Sequence, residues 1–219
     1  MSDLNCQILS DDSPSFDLSF KIIIVGDAGV GKTCLTRRAT ADEFSEDYAS
    51  TIGFEYFIFN EKINDKNVNL KIWDTCGQEE YSSLIINYYR EASLAMLVYS
   101  INSKNSFDHL KRWLNEIKLH SNNPDIKVML IGTKKDLEEE RKVEYEIAKN
   151  FVDENNILYF EETSSKTGLN SKEVFTQAAK ILYEEYCKYI NKNKDKEKIN
   201  RPSPIILEKG KENRGKGCC

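Results

Sequence analysis

Residues 21–33 read KIIIVGDAGVGKT. Lys21 to Val25 is an apolar, β-branched run closed by Gly26, the pattern of a strand buried on both faces. The stretch from Gly26 to Thr33 then places a glycine, four residues, a second glycine, a lysine and a hydroxyl residue between that strand and a helix-compatible segment. Glycines let the backbone curl so that successive N–H groups converge. Lys32 adds a cation and Thr33 a hydroxyl at a helix N-terminus, which together suit phosphate groups and their magnesium.

Working outward, Leu94 to Tyr99 and Lys127 to Ile131 are further apolar runs of the same kind. Between the strands lie helical spacings: Phe107, Leu110, Leu114 and Ile117; Val143, Ile147 and Phe151; Val174, Ala178, Ile181 and Leu182. Alternation of strand and helix implies an α/β fold with a mostly parallel sheet covered on both faces. One segment departs from it. Val68, Leu70 and Ile72 alternate with polar residues after a polar turn at 64–67, which reads as a hairpin with the aromatic strand Phe54 to Phe59.

The 219 residues suffice for one domain with a sizeable core and tails, 40% of them hydrophobic and 31% charged. No run approaches the roughly 18 apolar residues of a membrane span. Residues 1–20 carry Asp3, Asp11, Asp12 and Asp17 with no basic residue, so neither a signal nor a transit peptide is expected and the chain is expected in a reducing compartment. Cys6, Cys34, Cys76 and Cys187 lack metal-ligand spacing and read as ordinary thiols, whereas Cys218 and Cys219 are adjacent at the end. A net charge of −5 gives no sign of nucleic-acid binding. His109 and His120 stand at no catalytic spacing and read as surface or packing residues. After Ile190 the periodicity stops. The polar stretch 191–219 holds nine cations and four acids, a net of +5, and is expected to be disordered.

The phosphate-type loop names neither base nor reaction, because kinases, ATPases and GTPases share it. Thr133 to Asp136, TKKD, follows a strand end, where ligands of α/β sheets gather. Asp136 can there accept two hydrogen bonds from the N1–H and 2-amino group of guanine, a donor pair adenine lacks, with the Lys134 stem over one ring face. In isolation the same tetrapeptide is a turn with a capping aspartate. ETSSKTG, 162–168, offers backbone N–H groups near Ser165 and Lys166 for the guanine carbonyl. In WDTCGQE, 73–79, Asp74 can hold a magnesium-bound water, the Gly77 N–H can meet the γ-phosphate and Gln78 can orient an attacking water. Thr51 supplies a second hydroxyl that reaches magnesium only when the γ-phosphate is present, so cleavage would release its segment.

With these motifs in order, the chain from about Leu18 to Cys187 resembles the Ras-like small GTPases and, within them, the Rab family of vesicle traffic. TIGFEYF at 51–57, KIWDTCGQEEY at 71–81, YYREA at 88–92 and LVYSI at 97–101 carry the resemblance, with the terminal CC. It implies a P-loop NTPase fold: a six-stranded, mostly parallel sheet with one antiparallel strand, flanked by about five helices. It divides the chain into a flexible N-terminal extension (1–17), a GTPase domain (18–188) and a hypervariable tail (189–219). The activity implied is slow hydrolysis of GTP to GDP with Mg2+, catalysed by Gln78. Nucleotide contacts fall on Ala28, Gly29, Val30, Gly31, Lys32, Thr33, Cys34, Phe44, Thr51, Gly77, Thr133, Lys134, Asp136, Ser164, Ser165 and Lys166, and metal ligands on Thr33, Thr51 and Asp74. Ile52, Gly53, Phe54, Trp73 and Tyr88 would face effectors.

Cys218 and Cys219 would carry geranylgeranyl groups, and the basic tail would add attraction to anionic lipid, meeting the two-signal requirement for stable anchoring. The partners implied are an exchange factor, a GTPase-activating protein, effectors, a prenylation escort and a carrier of the GDP-dissociation-inhibitor type, for a monomer on the cytoplasmic face of an intracellular membrane with a cytosolic pool. Ile205, Ile206 and Leu207 would dock on the escort or carrier. Four positions depart from the family pattern: Ala28 in the loop, Cys76 beside the γ-phosphate contact and open to oxidation, Thr133 for the usual asparagine, and Ser165 for alanine. Ala28 and Cys76 leave a poorly hydrolysing scaffold as an alternative, and a P-loop kinase or ATPase is a third reading that Asp136 argues against.

Overall fold

A computed structural model describes residues 4–9, 15–45, 51, 53–75 and 88–194. The strands are β1 (Cys6–Ile8), β2 (Leu18–Val25), β3 (Phe54–Ile63), β4 (Lys66–Thr75), β5 (Leu94–Ser100), β6 (Lys127–Thr133) and β7 (Tyr159–Glu162). They form one sheet in the order β1-β3-β4-β2-β5-β6-β7. Strands β4, β2, β5, β6 and β7 run parallel; β3 is antiparallel to β4, and β1 to β3. The described helices are α1 (Lys32–Ala41), α2 (Lys104–Asp108), α3 (Leu110–His120), α4 (Tyr145–Asn155) and α5 (Glu173–Lys194).

The alternation of β2 explains its unbroken apolar run. Ile22 and Ile24 point into a core with Leu35 of α1 and Phe175 of α5, while Ile23 and Val25 point into a second core with Leu114 of α3 and Phe151 of α4. Each such fully buried side chain contributes about 1.5–3 kcal/mol relative to exposure. Both faces of the sheet are therefore covered, and the carboxyl ends of β2, β4, β5 and β6 are left to build the site.

Three expectations are adjusted. A seventh strand, β1, lies within the expected flexible extension: Leu9 N–H donates to the Asn60 carbonyl at 2.9 Å and Asn64 N–H to that of Asn5 at 2.8 Å. Helix α4 buries Ala148 and Phe151 while Ile147 is 45% exposed, and Val143 is buried ahead of the helix. The true stripe, 148–151–152–155, is rotated by one residue from the one that Val143 and Ile147 suggested. Helix α5 continues to Lys194, four residues past the last apolar position, because an end with exposed Asn191 and Lys192 requires no apolar face and a lysine favours the negative helix end.

A 3-10 turn, Lys135–Glu140, follows β6, and its exit is locked by charge. Arg141 donates through both terminal nitrogens to Glu162 at 2.7 and 2.8 Å and clasps Glu138 at 2.7 Å. The Glu162 side chain is 1% exposed, so its negative charge depends on Arg141 and on Lys135 at 3.3 Å. Arg141→Ala strands a buried carboxylate and is expected to cost about 3 kcal/mol in urea unfolding, with Arg141→Lys recovering part of it.

Candidate nucleotide and magnesium site

The loop between β2 and α1 curls through three glycines at positive φ: Gly26 at 149°, Gly29 at 73° and Gly31 at 98°. At Gly26 a Cβ would stand 2.1 Å from the Val98 carbonyl oxygen, so no side chain fits there. Lys32 is buried and folds over the loop, donating to the carbonyls of Gly26 (2.9 Å) and Asp27 (2.7 Å). Ala28, Gly29 and Val30 form the bend that these ties close, and Cys34 follows in the first turn of α1.

At the start of α1 the Thr33 hydroxyl lies 2.7 Å from that of Thr51 and donates to Asp74 Oδ2 at 2.5 Å. Asp74 is fully buried, and its Oδ1 has no hydrogen-bond partner among the described residues. Burial pushes its pKa up to about 6 against the pull of Thr33 and Lys32. Three hard oxygen donors, two hydroxyls and a buried carboxylate with an orphaned oxygen, suit a small divalent cation such as magnesium.

Where β6 ends, Thr133 is 1% exposed and its hydroxyl faces the carbonyls of Val30 and, at 3.0 Å, Tyr99. Its side chain thus braces the phosphate loop from within the protein. Lys134 takes the left-handed conformation (φ 62°) that opens the 3-10 turn. Ser164, also fully buried, donates to Asp136 Oδ1 at 2.6 Å and fixes that carboxylate. Helix α1 reaches the same loop, for Arg38 donates to the carbonyls of Ser165 (2.8 Å) and Lys166 (3.0 Å). Phe44, half-buried, follows α1.

On the far side of β3, beyond the positive-φ Gly53, Phe54 meets Trp73 (5.0 Å between ring centroids) and Tyr88 (4.5 Å), and Trp73 meets Tyr88 (5.5 Å). Tyr56, at 5.4 Å from Trp73, joins them; with Ile58 it extends an exposed apolar row the sequence reading stopped short of. Ile52, Cys76, Gly77, Gln78, Ile205, Ile206, Leu207, Cys218 and Cys219 lie outside the described residues. Arg38, Arg141 and, at the Asp27 carboxylate, His109 and Trp113 are site-shaping residues the sequence reading missed.

The Ras family model matches residues 21–184, the whole stretch from β2 to the body of α5. The chain belongs to the Ras family. It is also 34% identical over 209 residues to GTP-binding protein YPT1 of Saccharomyces cerevisiae, covering 93% of this chain and 98% of the yeast protein. It is a Rab-type small GTPase of membrane trafficking.

The Asp74 environment has a measurable consequence for this small GTPase. A carboxyl raised from 3.8 to about 6 stabilises the fold fully below its unfolded value, and that contribution, on the order of 3 kcal/mol, is lost as pH rises through about 6. A cation favouring the carboxylate offsets the loss. Magnesium is therefore expected to raise the unfolding temperature more at pH 7.5 than at pH 5, measured by thermal scans of the nucleotide-free protein, with Asp74→Asn abolishing the difference.

Proposed function

We propose that the site turns over GTP through a switch in which Thr51 is the sensor. The observation that carries this reading is the oxygen cluster of Thr33, Thr51 and Asp74: Thr51 precedes β3 yet reaches the hydroxyl that opens α1. Thr33, Thr51 and Asp74 would hold magnesium, which supplies charge neutralisation at the β- and γ-phosphates. Lys32, already folded over the loop, exchanges two backbone carbonyls for phosphate oxygens without leaving its pocket. Asp136, oriented by Ser164, discriminates guanine through its N1–H and 2-amino donors. Gln78 orients water for in-line attack, and loss of the γ-phosphate frees the Thr51 segment.

The aromatic group of Phe54, Trp73 and Tyr88 fits an effector face, because rings half-exposed and already packed on one another lose little conformational freedom on binding. An exchange factor, a GTPase-activating protein, an escort and a GDP-state carrier complete the cycle. No described helix is long and apolar enough to cross a membrane. Attachment to the cytoplasmic face of an intracellular membrane rests on the two terminal cysteines and the +5 tail.

Single-turnover hydrolysis of GTP by the purified chain tests the enzyme reading. Gln78→Leu is expected to slow it by at least about tenfold with GTP affinity retained; equal rates would identify a nucleotide-dependent scaffold instead. For the anchor, a tagged chain is expected on an intracellular membrane, and replacement of Cys218 and Cys219 by serine is expected to move it wholly into the soluble fraction. Retention of the variant on the membrane would refute lipid attachment at these residues.

A further inference from the structure

The chain has two histidines, and one of them sits on the phosphate loop. Asp27, the residue after Gly26, turns its carboxylate away from the loop's curl and into the start of α3. There Trp113 Nε1–H donates to Oδ1 at 2.8 Å, His109 Nδ1 lies 2.7 Å from Oδ2, and Arg112 approaches Oδ1 at 3.6 Å. Trp113 is 5% exposed and sits in the core beneath α3, so its indole is a fixed post. The same aspartate's backbone carbonyl accepts from Lys32 Nζ. One residue thus joins α3 on its side-chain face to the phosphate-binding lysine on its backbone face.

We propose that His109 is a positioning residue for the bound nucleotide, holding Asp27 together with Trp113 and tightening the grip on the phosphates when its imidazole is protonated. Asp27 brings a negative charge to a loop that must receive several more. A neutral imidazole with its proton on Nδ1 donates to the carboxylate but leaves that charge uncancelled, whereas the imidazolium does both. From the phosphate loop Asp27 faces the ring, and Lys32 reaches that aspartate's carbonyl. From α2, Lys104 and Asp108 are engaged with one another at 2.5 Å. Arg112 contributes from α3, whose N-terminal end His109 precedes. His120, eleven residues on, pairs with Glu116 at 3.0 Å and packs on Tyr89, remote from Asp27, which makes it an internal control.

The inference rests on residues 26–33 being the phosphate site, which is tested separately: Lys32→Ala should abolish binding of a fluorescent GDP at every pH. For His109 itself, release of fluorescent GDP from the full-length, magnesium-loaded protein is followed during a chase with excess GDP between pH 6 and 8. Wild-type release should quicken by about fivefold across that range, the low end for two coupled sites. His109→Asn, which keeps a donor but carries no charge, should give a flat profile at the fast rate. His120→Gln should keep the wild-type slope, and Trp113→Phe should be faster at all pH values with the slope intact. Asp27→Asn removes the partner carboxylate and should flatten the profile independently. A wild-type slope in both His109→Asn and Asp27→Asn, or its loss in His120→Gln, overturns the proposal.

Discussion

The structure depends on how closely the phosphate loop approaches the neighbouring strand. Gly26 lies so near the Val98 carbonyl that a methyl group would stand 2.1 Å from it, and this contact lets the chain leave β2, pass over β5 and return into α1 within six residues. Everything at the site is referenced to that turn. Lys32 closes it from above, Thr133 braces it from β6, and Asp27 fastens its outer side to α3. A loop held from three sides keeps its N–H groups converged before any phosphate arrives, so little ordering entropy is left to be lost on binding.

Electrostatic strain is placed differently in the two halves of the site. Around the turn that follows β6, charges are matched inside the protein: Glu162 has Arg141 and Lys135, and Asp136 has the Ser164 hydroxyl. Around Asp74 they are left incomplete, with the carboxylate buried beside two hydroxyls and one of its oxygens without a partner among the described residues. A satisfied network gives a rigid turn. An unsatisfied carboxylate gives a site whose stability depends on what fills it.

What could be read in the sequence follows the same division. The placement of Gly26 to Thr33, Asp74 and Asp136 at or just beyond strand ends was legible, because a glycine-rich turn after a buried strand and an aspartate where a strand closes are local patterns. The buried strands were legible because Ile22 to Val25 serve two cores at once. The supports were not. Arg38 contacts Ser165 across 127 residues, and His109 contacts Asp27 across 82, so no local spacing announces them. Thr133 stands at the expected position, yet its burial and its carbonyl partners are products of packing. Strand β1, three residues long and mostly exposed, has neither apolar alternation nor length to mark it.

That short strand has a consequence for how the chain behaves in company. An open sheet edge is a template for another chain, and the outer edge of β3 is the sheet's hazard on this side. By occupying Asn60 to Ile63, β1 leaves open, among the described residues, only the ladder from Phe54 to Phe59. Phe54, Tyr56 and Ile58 are the exposed residues of that open stretch. The segment preceding the GTPase core thus moves this half of the sheet's edge from β3 onto a three-residue strand, a shorter template for edge-to-edge pairing than the ten-residue strand it covers.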